Sequence, residues 1–299
     1  MRTLVSTRVP EQWPIGTDVL ALDLDVRERS NRDAADAILA AAHLRPERVL
    51  VKIDSTLRGP VRGLVGGALH AFACEQAVVA PAFPEQGRIV RDGSLYVHGQ
   101  HGPTVREVIG DDGRCVIHDA ESPADLRRLA EEAHAHPRWL LVGSAGLARQ
   151  LAPPHESPTP QPNGDGPVLL VAGSPAPVTR AQLVPLTDVN DLVILATPPT
   201  DARDSGEAAS ALADQVALWA MRHRPKAVVL TGGATARAVI HGLGTTHLSI
   251  HGELQPGIPF GALQDGLWHG VTVVTKAGGF GTPSTLLDVV RELGVTSTG

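Results

Sequence analysis

Val271-Thr272-Val273-Val274-Thr275-Lys276-Ala277-Gly278-Gly279-Phe280-Gly281 holds the pattern on which the fold turns. An apolar, β-branched run ends in a lysine and three glycines, and a helical stretch, Ser284–Leu293, follows. A continuous apolar run fits a parallel strand covered on both faces. Glycines and a cation at the end of such a strand are a phosphate-binding composition, with a purely structural turn as the alternative. No Gly-Lys pair occurs anywhere in the chain, so the loop is not a Walker A loop, and there is no G-x-G-x-x-G fingerprint of a nicotinamide-binding dehydrogenase.

The same strand–loop–helix grammar repeats outward from this stretch. Further strands are expected at Asp18–Val26, Arg48–Ile53, Ala77–Ala80, Trp139–Val142, Val168–Ala172, Leu192–Ala196 and Ala227–Leu230. Helical periodicity falls on Arg32–His43, Val61–Cys74, Ala124–His134, Gly206–Arg222 and Thr235–His241. Alternation of this kind predicts an α/β fold with mainly parallel sheets. The segment Pro153–Pro167 is dense in Pro, Gly and small polar residues, a linker composition. It divides the chain into an expected N-terminal domain, 1–155, and a C-terminal domain, 166–299.

The 299 residues carry a formal net charge of −6. That balance argues against a general nucleic-acid binder, which needs a basic face. Any anion site must therefore come from a few placed cations and backbone N–H groups. Only three lysines occur, Lys52, Lys226 and Lys276, which makes each a better functional candidate than usual. The two cysteines, Cys74 and Cys115, have no CxxC spacing and read as free thiols. No apolar leader opens the sequence and no apolar run reaches the ~20 residues of a membrane span, so a cytoplasmic protein without a membrane partner is expected.

Five more loops carry chemistry at strand ends, where ligands of parallel α/β sheets bind. Lys52-Ile53-Asp54-Ser55-Thr56-Leu57-Arg58-Gly59-Pro60 offers cations for a carboxylate or phosphate, hydroxyls, and an Asp54 able to accept a hydroxyl proton. Its plain alternative is a helix cap at Asp54 or Ser55 with solvated cations. Pro81-Ala82-Phe83-Pro84-Glu85-Gln86-Gly87-Arg88 reads as a rigid loop with a reaching Arg88, or as a turn before a hairpin around Asp92-Gly93. Gly143-Ser144-Ala145-Gly146-Leu147-Ala148 and Ala172-Gly173-Ser174-Pro175-Ala176-Pro177-Val178-Thr179 each read as a close-approach loop or a capped helix start. Thr231-Gly232-Gly233-Ala234-Thr235 ends a strand and opens a helix, an anion cradle in form but a weak pattern alone. The histidines form no HExxH or Cys/His set, which argues against a transition-metal site.

In this order the six loops resemble the four-carbon acid sugar kinases, a family that includes threonate, erythronate and 3-oxo-tetronate kinases. The resemblance runs from about Asp18 to Leu293. It implies a sugar-acid-binding N-terminal domain, a nucleotide-binding C-terminal domain and an active-site cleft between them. It also implies ATP with Mg²⁺ as cofactors, a sugar acid as substrate, no nucleic-acid partner, and allows a homodimer. On this footing Lys52, Asp54, Ser55, Arg58, Phe83 and Arg88 would hold the sugar acid, with Asp54 the remaining candidate for the catalytic base. Ser174, Gly232, Gly233, Ala234, Thr235, Lys276, Gly278 and Gly279 would hold ATP.

Two departures from the family pattern matter. The family opens on a strand ending in an Ala-Asp-Asp-x-Thr-Gly-Ala loop that contributes to the substrate site. This sequence lacks it, and Met1–Val5 resembles the family's second strand. A missing strand leaves an exposed sheet edge. The family's Gly-Gly-Asp-Thr reads Gly-Gly-Ala234-Thr235 here, and Ala176 stands where a second serine is common. A non-catalytic protein that binds sugar acid or nucleotide is therefore the alternative reading.

Overall fold

The computed structural model describes residues 1–152, 157–187, 189–198 and 205–296. The chain divides into two compact units. One takes residues 1–8, 14–23 and the described residues from 157 onward. The other takes residues 9–13 and 24–152.

In the first unit, four strands run parallel in the order Leu192–Ala196, Val168–Ala172, Ala227–Thr231 and Thr272–Lys276. The sheet continues antiparallel through Ile258–Leu263, His247–Gln255 and Thr3–Ser6, and Val19–Leu22 closes it as a parallel edge strand. Continuous apolar runs let the central strands be buried on both faces. Leu169, Val171, Val228 and Leu230 pack with Leu212, Val216, Val239, Leu243 and Trp268. Their neighbours Val168, Leu170, Ala227 and Val229 pack with Leu286, Val289, Val290 and Leu293. Helices Ser205–Ala220 and Gly233–Gly242 therefore serve one face and helix Thr285–Glu292 the other.

The second unit holds a four-stranded parallel sheet in the order Val49–Lys52, Trp139–Gly143, Gln76–Ala80 and Cys115–Ile117. Helices Val61–Ala71, Pro123–His134 and Ala145–Leu151 contribute Val65, Leu69, Leu126, Leu129 and Leu147 to its core. The expected hairpin forms from Arg88–Arg91 and Ser94–Val97, with Asp92 and Gly93 both at positive φ in its turn. A third strand, Gln100–Thr104, extends it.

These units differ from the division into 1–155 and 166–299. The first strand, Thr3–Ser6, pairs antiparallel with His247–Ile250, and Val19–Leu22 pairs beside it. Backbone hydrogen bonding thus assigns residues 1–8 and 14–23 to the sheet of the C-terminal half. Of the Pro-rich segment, residues 153–156 lie outside the described residues. From Ser157 onward it is tied to the sheet, since Ser157 Oγ accepts the Glu253 N–H at 2.9 Å.

Candidate functional site

In the second unit, the expected loops meet because their strands are adjacent. Lys52 and Ala80 both sit opposite Gly143 in register, so three strands end at one carboxyl edge. The loops are stitched there: Ile53 N–H donates to Gly143 O at 2.8 Å, and Ser144 Oγ donates to Ala82 O at 2.8 Å. Ser144 also accepts the Gly146 N–H at 3.2 Å and caps helix Ala145–Leu151. The third motif thus serves as a capped strand-to-helix turn.

Asp54 does not cap helix Val61–Ala71, whose N-cap is Pro60. Its Oδ1 accepts from the Thr56 N–H and hydroxyl, each at 2.8 Å. Its Oδ2 accepts from Arg27 at 2.7 Å and from the Arg58 terminal nitrogen at 2.9 Å and Nε at 3.2 Å. Burial pushes this carboxyl up, but the two Thr56 donors and Arg58 more than reverse that and hold it below the usual range. Both oxygens are saturated, so Asp54 stands ionised as the counterion of two guanidiniums. Lys52 lies exposed at its strand end, with Nζ 3.3 Å from Ile53 O. Ser55 is half-buried beside it.

The second motif presents differently. Arg149 stacks over the Phe83 ring at 5.4 Å. Arg88 turns back on Gln86, donating to its carbonyl at 2.8 Å and its side-chain oxygen at 3.2 Å, while its Nε is buried without a partner.

In the first unit, Ala172, Thr231 and Lys276 end three neighbouring parallel strands. The loops after them bring Gly173-Ser174, Gly232-Gly233 and Ala277-Gly278-Gly279 to one edge. Contact between them is close: a Cβ at Gly278 would stand 1.9 Å from Ser174 Oγ, so no other residue fits. Thr179 Oγ1 donates to Gly278 O at 2.7 Å, and Gly232 N–H to Lys276 O at 2.9 Å. Gly232, at φ 100°, caps helix Gly233–Gly242 without a side-chain hydrogen bond, and Gly233 and Ala234 are exposed. Thr235, one position on, is buried. Uncapped N–H groups at a helix N-terminus attract anions. Thr231 Oγ1, buried just before Gly232, lacks a hydrogen-bond partner.

Lys276 is only 3% exposed. Its Nζ donates to the carbonyls of Ala277 at 2.8 Å, Phe280 at 3.0 Å and Gly278 at 3.4 Å. Burial lowers its pKa from 10.5 to about 8. In this conformation the ammonium shapes the glycine loop from within. Gln182, fully buried, holds the same loop by donating to Phe280 O at 3.0 Å and Thr282 O at 2.8 Å.

Sequence reasoning missed Arg27 and Gln182, and reached Thr179 only as the last residue of a loop motif, with no role assigned. Arg27 lies just past the expected strand Asp18–Val26 and outside the six loops, where no motif marks it. Thr179 and Gln182 sit on helix Pro177–Leu183, facing a loop almost a hundred residues away.

A family model described as a sugar-binding N-terminal domain matches residues 1–107, and one described as a nucleotide-binding C-terminal domain matches residues 220–286. A D-threonate kinase of Bordetella bronchiseptica is 30% identical over 355 aligned positions, covering 92% of this chain and 86% of the relative. The chain belongs to the four-carbon acid sugar kinase family. A D-threonate kinase of Cupriavidus necator is 29% identical, covering 90% of this chain and 86% of that one. A D-erythronate kinase of Heliobacterium modesticaldum is 25% identical over 56% of this chain and 49% of its own length. The alignment with the Cupriavidus enzyme has 363 positions against 299 residues here, so this family member carries gaps relative to it. A solved structure from Salmonella typhimurium LT2 superposes with a TM-score of 0.76 at 19% identity, covering 98% of this chain and 93% of that one. A Haemophilus influenzae protein gives 0.74 at 17%, covering 97% and 94%. These two likenesses establish the α/β fold and nothing finer.

Proposed function

We propose that this chain transfers a phosphoryl group from ATP to a hydroxyl of a four-carbon sugar acid, with D-threonate the first substrate to test. One observation carries the reading. Each compact unit gathers its motif loops at the carboxyl ends of neighbouring parallel strands, one edge cationic and the other glycine-opened.

The residues of the glycine-opened edge fit a nucleotide triphosphate. Gly232, Gly233 and Ala234 offer helix-start N–H groups to phosphate oxygens, and the bare Gly278 lets its loop close on Ser174 beside them. ATP supplies the γ-phosphoryl group, and phosphoryl transfer asks the protein chiefly for positioning and charge neutralisation. Lys276, Thr179 and Gln182 do the positioning by fixing the loop. On the cationic edge, Lys52 and Arg58 orient the acid, with Ser55 near its hydroxyls. Among the described residues no group of three or more His, Cys, Asp or Glu gathers into a metal cage, so Mg²⁺ would arrive on the ATP phosphates. Cys74 and Cys115 are free and buried, which suits a cytoplasmic setting, and no described helix is long and apolar enough to cross a membrane.

Two observations favour the second reading, a non-catalytic binder. The carboxylate expected in the nucleotide loop is Ala234, and Asp54 has no lone pair left for a substrate proton. A coupled ATP assay with D-threonate, D-erythronate and their stereoisomers separates the two. Turnover of at least one four-carbon acid is expected. Absent turnover, with calorimetric binding of acid or nucleotide retained, would replace the kinase by the binder.

A further inference from the structure

The Arg27–Asp54–Arg58 cluster has a feature that a solvated turn would not require. One carboxylate oxygen, Asp54 Oδ2, takes donors from two guanidiniums on segments 31 residues apart in sequence. Two like charges are held side by side, and the anion that relieves their repulsion is 17% exposed at its side chain. The guanidiniums are not hidden: Arg27 is 56% and Arg58 68% exposed. Asp54 engages one Arg27 nitrogen and two of Arg58, so each fork keeps N–H donors that Asp54 does not use.

The spacing is built in. Gly59, at φ 91°, lets the Arg58 loop pass the Arg27 backbone, where a Cβ would come within 3.2 Å of Arg27 O. Thr56 fixes the other carboxylate oxygen, so Asp54 cannot rotate away from the two arginines. Two guanidiniums share this one carboxylate, in a chain that is acidic overall. A cationic pair with exposed planar forks at the carboxyl edge of a parallel sheet matches the geometry of a carboxylate ligand.

We infer that Arg27 and Arg58 together form a clamp for the substrate carboxylate, with Asp54 as the fixed counterion that sets their spacing. The inference rests on the sugar-acid reading and deepens it. Arg27, a residue outside the recognised loops, becomes the specificity determinant that admits an acid and rejects the neutral polyol of the same carbon skeleton. Asp54 becomes a positioning residue. A neutral ligand cannot replace the charge-assisted bonds that the forks offer.

The test compares wild type with Arg27→Ala, Arg27→Lys and Asp54→Asn. Steady-state kinetics use D-threonate, D-erythronate and the neutral threitol and erythritol, with ATP KM measured separately. Arg27→Ala should raise the acid KM about 10- to 100-fold, leave the ATP KM within about twofold, and erase the preference for acid over polyol. Arg27→Lys should recover part of that preference, since it restores charge without the fork. Asp54→Asn should raise the acid KM, because the spacing of the forks is lost, with a steeper dependence on salt, because the site gains net positive charge. An Arg27→Ala enzyme with unchanged acid KM and unchanged acid-over-polyol preference overturns the clamp while leaving the kinase reading intact. If wild type turns over no acid, calorimetry decides. Acid binding that excludes polyols, is lost in Arg27→Ala and is partly retained in Arg27→Lys keeps the clamp without the kinase. No acid binding by wild type, or binding that survives Arg27→Ala undiminished, overturns it.

Discussion

Lys276 shows how far a single residue type can be read from sequence and where the reading stops. A lysine among glycines at a strand end points outward to a phosphate on composition alone. Its actual placement is inward, against three carbonyls of its own loop, because the turn Ala277–Phe280 curls over the strand end. Nothing in a linear pattern encodes that curl. The placement has a pH signature. Burial without an acidic partner depresses the folded-state pKa to about 8, below the ordinary 10.5 that applies to the unfolded chain. Between those values the unfolded chain binds more protons, so this residue's contribution to stability rises with pH across the window. The stability of wild type relative to Lys276→Met should therefore increase from pH 8 to 10, by at most about 1.4 kcal/mol per unit. Denaturant titrations at several pH values check this, and a flat difference would refute the buried-ammonium account. Arg27 is the opposite lesson, since a residue outside the six loops lies on the carboxylate at the first motif.

At the scale of elements, the parallel strands were legible because burial on both faces leaves uninterrupted apolar runs. Val168–Ala172 and Leu192–Ala196 fall where the pattern puts them. Helix Val61–Ala71 begins as read. The antiparallel pair His247–Gln255 and Ile258–Leu263 escaped notice. Register shifts near Gly252 and Glu253 break its alternation, and His247, His251 and Glu253 give it a polar look. A second device steadies this pair. Asp265 accepts from the Thr246 N–H at 2.7 Å and the His247 N–H at 3.2 Å, and also from the Thr246 hydroxyl and His247 Nδ1. Burial raises the Asp265 carboxyl, but these four donors win and bring it from 3.8 to about 2. A depressed carboxylate contributes stability that is whole above pH 3.8 and disappears as pH falls through about 2. Asp265→Asn should thus cost about 1 kcal/mol at neutral pH, a modest value because the site is partly solvated. The deficit should close between pH 4 and 2 in thermal melts, and a deficit constant across that range would exclude the charged-acceptor role.

For the whole molecule, strand–helix alternation and linker composition predicted two α/β bodies, and the structure holds two. The cut was misplaced because pairing across more than two hundred residues leaves no local trace: Thr3–Ser6 finds its partner at His247–Ile250. The chain therefore passes between the units after residues 8, 13 and 23, and again past residue 152. A chain cleaved at a protease site inserted after Pro158 should still elute as one species under native conditions. The N-terminal fragment would keep two strands in the sheet of the C-terminal one, and only denaturant should part them. Separation of the halves on simple gel filtration would contradict that sheet order.

This interleaving also sets a timetable. Strands Thr3–Ser6 and Val19–Leu22, which pair with each other, leave the ribosome more than two hundred residues before the antiparallel neighbour of the first, at His247–Ile250, has been synthesised. At roughly 5–20 residues per second, those two strands wait on the order of 10 to 50 seconds. The intervening unit is complete long before then. The larger sheet is thus a late closure, and its earliest strands, with only each other to pair with, must stay unaggregated until translation is nearly done.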